Sequence, residues 1–91
     1  MTYNGWSNYE TWNVSLWLNN EPVTYEDLRD LLERNSDDYA AGEAIKSYVE
    51  EMMPDLGASM AADLLGAALC EVDWQEIAKS NRNEVAEEAE A

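Results

Sequence analysis

Acidic side chains outnumber basic ones four to one in this 91-residue sequence, and this imbalance must be reconciled with a high apolar content. Twenty aspartates and glutamates against five lysines and arginines give a formal charge of −15, with no histidine. A chain that repels itself so strongly normally stays unfolded. However, 46% of the residues are hydrophobic and four are tryptophan. We therefore predict a folded domain that tolerates a dense negative surface.

The length fits one domain with a single hydrophobic core. We assign this domain to residues 1–82 and expect residues 83–91, which hold four glutamates, to form an acidic and frayed tail. No basic start followed by a long apolar run is present, so we expect a soluble cytoplasmic protein. The single cysteine, Cys70, lies in an apolar helical pattern and is expected to be a buried thiol.

Helical periodicity dominates the sequence, and polar residues mark the helix starts. Ser7 and Glu10 form an S-x-x-E capping box for a first helix that ends near Asn20. The cap or first residue of the five predicted helices is, in order, Ser7, Thr24, Ser36 or Asp37, Ala58 and Asp73.

Apolar residues at helical spacing predict the side that each helix turns to the core. For the first two helices they are Tyr9, Trp12 and Leu16 with Val14, Trp17 and Leu18, and then Tyr25, Leu28, Leu31 and Leu32. For the last three they are Ala41, Ile45, Tyr48, Val49 and Met52, then Met60, Leu64, Leu65, Ala68 and Val72, and finally Trp74, Ile77 and Ala78.

These patterns predict an all-α fold, a compact bundle of four to five short helices with a Trp-rich core. No segment shows the alternation expected of a strand. The helical spacing of the tryptophans favours core packing over an exposed binding surface. Trp6, which precedes the first helix, is the tryptophan we most expect to be exposed.

Several kinds of chemistry are excluded by what the sequence lacks. Structural zinc needs histidines or several cysteines, and the alternating acids of an EF-hand are absent. Paired carboxylates catalyse hydrolysis only in a cleft that raises the pKa of one of them. Nucleic-acid phosphates would be repelled by the net charge. We predict no enzyme activity, no metal, no cofactor, no membrane span and no direct contact with nucleic acid.

The acidic residues of the middle of the chain form the candidate site. Glu26, Asp30 and Glu33 stand at i, i+4 and i+7, so they share one side of the second helix. Such a ladder resembles the regular charge of a DNA backbone and can bind the basic groove of a nucleic-acid-binding protein. The predicted partner-binding residues are Glu26, Asp27, Asp30, Glu33, Asp37 and Asp38, supported by Glu43, Glu50 and Glu51.

The excess negative charge also fits roles that need no basic partner. Acids on exposed helices keep a small protein soluble, although a net charge of roughly 2–8 suffices for that purpose. A high-salt cytoplasm also favours acid-rich surfaces with few lysines. The alternative function is a non-enzymatic helical scaffold or homo-oligomerisation module with a merely solvating acidic surface. Its apolar interface, Trp6 or the small residues of the fourth helix, would support a homodimer.

Two blocks of sequence resemble a family of small, mostly uncharacterised proteins of phages, plasmids and other mobile elements. Residues 4–18 are similar to its opening N-G-W-x-N-Y-E-T-W-N-V-x-L-W-[LI], and residues 63–65 and 74–78 to its closing D-L-L…W-x-E-I-A. The resemblance implies no catalytic residues. It implies, by analogy, an anti-defence role against a host CRISPR effector or restriction enzyme, with DNA mimicry as the route.

Overall fold

The structure is a computed structural model that describes the backbone of residues 2–90 and the side chains of residues 2–84. Within this range an isolated bridge between Tyr3 and Trp6 is the one β-type pairing. The predicted all-α fold is confirmed. The five helices are α1 (Tyr9–Asn20), α2 (Pro22–Arg34), α3 (Asp38–Met52), α4 (Met60–Cys70) and α5 (Trp74–Glu90).

The core lies between α2, α3 and α5. The most extensive helix contact joins α3 to α5, while α1 packs against α2 and α5, and α2 packs against α3. Gly42 permits the close approach of α3 to α5, because an added Cβ would lie 3.0 Å from the backbone N of Gln75. The buried hydrophobic residues are Leu18, Leu28, Leu32, Ala41, Ile45, Val49, Val72, Trp74, Ile77 and Ala78.

The inward side of α1 differs from the predicted one. Thr11, Ser15 and Leu18 are the buried residues of this helix, whereas Tyr9 is 50% exposed. The reason is a set of long-range hydrogen bonds: the backbone N–H of Asp73 donates to Thr11 Oγ1 at 2.9 Å, and Asn81 Nδ2 donates to Ser15 Oγ at 3.4 Å. Polar contacts with α5 therefore orient α1.

Three of the predicted helix starts are corrected as well. α4 begins at Met60 instead of about Ala58, and the hydroxyl of Ser59 caps it by accepting from the N–H of Ala62 at 3.1 Å. Asn8 caps α1 and accepts from the N–H of Thr11 at 2.9 Å, whereas Ser7 donates to the Glu76 carboxylate of α5. α2 begins at Pro22 instead of Thr24, because proline needs no N–H acceptor in the first turn. The caps predicted for α3 and α5 are confirmed: Asp37 accepts from Ala40 N and Asp73 from Glu76 N.

Several apolar residues predicted to be buried are exposed. Every residue of α4 is at least partly exposed, with Met60 at 78% and Leu64 at 65%. Cys70 is exposed, and so is Trp17 at 61%. Trp74 is the one buried tryptophan, and Trp6, which we most expected to be exposed, packs half-buried against the core, so the core is less rich in tryptophan than predicted.

The acidic tail expected at residues 83–91 lies largely outside the described side chains. The α5 backbone is helical to Glu90. The fraying of this segment stays a prediction.

Candidate functional site

Three acidic residues form a single exposed side of α2, which we call the α2 acidic face: Glu26, Asp30 and Glu33. All three are exposed, and with 3.6 residues per turn they lie within an arc of about 60°. The opposite side of α2 carries Leu28 and Leu32, which are 2% and 4% exposed. Burial of these leucines fixes the rotation of the helix, so the three carboxylates are held pointing outward.

A salt bridge lies at the C-terminal end of the α2 acidic face. Arg34 Nη2 is 3.0 Å from Asp30 Oδ2, one helical turn away, and both side chains are largely exposed. Such surface pairs contribute under about 1 kcal/mol. Asp30 can therefore leave Arg34 and form a salt bridge with a Lys or Arg side chain of a partner at little cost in free energy.

Three of the predicted site residues are used within the fold. Asp27 accepts a hydrogen bond from the Tyr48 hydroxyl at 2.7 Å, and Asp38 Oδ1 is 2.9 Å from Arg82 Nε. Asp37 caps α3, although it remains exposed. Asp27 and Asp38 are half-buried. Asp27 links α2 to α3, and Asp38 links α3 to α5.

The remaining predicted residues lie on α3. Glu43 and Glu50 are exposed and stand two helical turns apart on the side away from the buried Ile45. Glu51 is also exposed and lies at the C-terminal turn of the helix. These carboxylates form a group separate from the α2 acidic face.

Glu43 also lines an open cleft of about 450 Å³ between α3 and the α4–α5 corner. Two acids that the sequence does not point to as site residues, Glu71 and Asp73, line the same cleft. Asp73 is recognisable in the sequence only as a cap, and nothing in the local sequence links Glu71 to Glu43. Their meeting depends on the packing of α3 against α5.

Hydrogen bonds between distant residues hold the walls of the cleft. Ser7 Oγ donates to Glu76 Oε1 at 2.6 Å, and Asn8 Nδ2 donates to the Glu71 carbonyl at 2.6 Å. The segment before α1 is thereby tied to the start of α5. The cleft presents carboxylates on a fixed frame, and such groups accept hydrogen bonds from Lys or Arg side chains.

The described side chains include no group of three or more Cys, His, Asp or Glu residues placed to hold a metal ion. Among the described helices, none combines the length and apolar character that crossing a membrane requires. The exposed carboxylates of this arrangement can bind the Lys and Arg side chains of a partner protein.

A model described as a family of unknown function (DUF7249) matches residues 1–91, so the chain belongs to this family. No curated protein matches the chain, and no solved structure does.

Proposed function

We propose that this member of the DUF7249 family is a non-enzymatic inhibitor that binds a host nucleic-acid-binding complex through an acidic, DNA-mimicking surface. The target is a CRISPR effector or a restriction enzyme in the host cell cytoplasm. The observation that carries the proposal is the α2 acidic face, in which three exposed carboxylates are held outward by a buried opposite side.

The spacing of these carboxylates supports binding at a site meant for nucleic acid. Glu26 and Glu33 are seven residues apart, which is about 10 Å along the helix axis. Duplex DNA presents about one charge per 1.7 Å of axis with both strands counted, so these two turns of α2 span several phosphate positions. The exposed acids of α3, with Glu43 in the cleft, add a second group of negative charge on a neighbouring helix.

The biological setting rests on the sequence resemblance. Residues 4–18, 63–65 and 74–78 resemble proteins of phages, plasmids and other mobile elements, and small acidic proteins of such elements often act against host defence. This part of the proposal is an analogy, whereas the acidic face is a property of the chain itself.

Capture from a bacterial lysate tests the proposal. The wild-type chain is compared with E26K/D30K/E33K and with a control of equal charge change, E84K/E87K/E88K, whose three acids belong to the segment 83–91. We expect the wild type and the control to retain a nucleic-acid-binding protein that the α2 variant loses. Single substitutions should weaken capture only slightly, because each exposed pair contributes under about 1 kcal/mol.

Equal capture by a correctly folded α2 variant would reject the assignment of the site. Capture that is lost equally in both variants would mean that total charge, and not the α2 acidic face, governs binding. Circular dichroism of each variant verifies the fold.

One observation favours a second candidate, a helical scaffold or homo-oligomerisation module. Met60 and Leu64 of α4 are among the most exposed apolar side chains. This candidate predicts a dimer in sedimentation, and an association that is flat or stronger with added salt, whereas mimicry predicts binding that salt weakens.

A further inference from the structure

The α4 helix combines an apolar composition with an exposed position. Asp63 is the single charged residue among its eleven, yet none of its residues is buried. Met60, Leu64 and Ala67 lie within an arc of about 60° on the outer side, and we call them the α4 apolar face. An exposed apolar face on one side of a helix is a candidate for contact with a partner.

A groove runs along the inner side of the same helix. Its volume is about 190 Å³, and its apolar wall includes Leu65 and Leu69 of α4, Val14 of α1, and Val49 and Met53 near the end of α3. The α4 apolar face and this groove together offer two adjoining surfaces for an apolar partner.

The charge around these surfaces is mainly negative, and we call its four acids the acidic rim: Glu10, Asp55, Asp63 and Glu71. Glu10 lines the groove, and Asp55, Asp63 and Glu71 are exposed near the ends and along the side of α4. The sequence has no lysine or arginine from residue 1 to residue 28, or between Lys46 and Lys79. Lys46, three residues before Val49 on α3, is the basic residue nearest in sequence to the groove lining, and α1 and α4 contribute none.

We propose that the α4 apolar face and its groove form a docking site for a basic amphipathic helix of a partner protein. Apolar anchors at i, i+4 and i+7 match two turns of α4, and lysines or arginines beside them meet the acidic rim. The exposed and flexible side chain of Met60 can adapt to varied apolar anchors. A second copy of the chain is disfavoured, because it would bring acidic rim against acidic rim.

This site is separate from the α2 acidic face, so the inference goes beyond the proposed function. The probe is a fluorescent 18-residue helix of leucine and lysine with all leucines on one side. Its controls are a scrambled peptide of the same composition and a leucine–glutamate peptide with the same leucine pattern. Fluorescence anisotropy measures binding.

We expect the leucine–lysine helix to bind one-to-one, and both control peptides to bind at least tenfold more weakly. M60Q/L64Q should weaken the binding of the helix at least tenfold. V23Q should leave it unchanged, since Val23 is 70% exposed on α2 and matches Met60 and Leu64 in exposure. E26K/D30K/E33K should also retain most of the binding, which separates this site from the proposed inhibitory one.

Three results would overturn the proposal. The scrambled peptide could bind as tightly as the helix, which would mean general charge attraction. M60Q/L64Q, or the milder L64Q if the double variant does not fold, could bind like the wild type. Sedimentation could find a wild-type dimer that M60Q/L64Q converts to a monomer, in which case a second copy covers the site.

Discussion

The Tyr48 hydroxyl of α3 donates a 2.7 Å hydrogen bond to the Asp27 carboxylate of α2. Burial raises the pKa of Tyr48 to about 12, and the hydrogen bond to Asp27 and the negative charge of Asp27 add to the effect. This pair joins the helix that carries the α2 acidic face to its neighbour. Asp27, which the sequence predicts to bind a partner, thus also helps to fix the position of the α2 acidic face.

The first prediction concerns alkaline stability. Because the pKa of Tyr48 is raised from 10.0 to about 12 on folding, its contribution to stability is fully present below pH 10 and is lost as the pH rises through 12. Y48F should reduce the free energy of unfolding by about 1 kcal/mol at pH 8. Urea unfolding at pH 8 and pH 11 should find a smaller loss with pH in Y48F than in the wild type. An identical loss in both would contradict this role of Tyr48.

A second prediction compares two glycines within helices. In G42A the new Cβ would meet the backbone of Trp74 and Gln75 at 3.0 Å, so α3 and α5 must move apart. We expect a loss of about 1–3 kcal/mol. G66A is the control, because no atom beyond the adjacent residues and the backbone of α4 lies within 4 Å of its added Cβ, and it should stabilise α4 by about 0.5–1 kcal/mol. Thermal unfolding measures both, and similar effects of the two changes would refute the close approach.

The third prediction tests the polar contact between α1 and α5. T11V keeps the side-chain shape but removes the hydroxyl that accepts from Asp73 N–H and donates to Asn8 Oδ1. The loss should be about 1–3 kcal/mol, since Thr11 is fully buried and the N–H loses its partner. T2V, at an exposed position, should change stability by less than about 0.5 kcal/mol. Equal denaturation midpoints for T11V and the wild type would argue against this contact.

Periodicity predicts the number of helices well but predicts their orientation less well. α3 and α5 each have a distinct apolar stripe, and Ile45 and Ile77 are buried as expected. α1 presents Thr11 and Ser15 inward because both accept hydrogen bonds from α5 or its cap. The donors, Asp73 and Asn81, lie more than 60 residues away in the sequence. No local pattern contains that information.

α4 illustrates a different limit of the sequence. Nearly all of its residues are apolar, so periodicity cannot tell its inner side from its outer side. Burial is the default expectation for Met60 and Leu64, and the exposure of both depends on how few neighbours the fold brings to this helix.

The candidate site is predictable to the extent that it is local. The i, i+4, i+7 spacing predicts a shared side for Glu26, Asp30 and Glu33, and all three are exposed. The internal bonds of Asp27 and Asp38 could not be foreseen, because Tyr48 and Arg82 are distant in sequence. The same holds for the meeting of Glu43 with Glu71 and Asp73 in the cleft.

Competition with DNA tests the central claim most directly. The captured nucleic-acid-binding protein is loaded with a fluorescent DNA duplex, and displacement by the chain is followed between roughly 50 and 200 mM salt, the range over which about 10³-fold changes occur for phosphate-like contacts. We predict that the wild type displaces DNA, that salt weakens this effect steeply, and that E26K/D30K/E33K is at least about 100-fold weaker. Simultaneous binding of DNA and the chain, or equal displacement by the triple variant, would contradict DNA mimicry by the α2 acidic face.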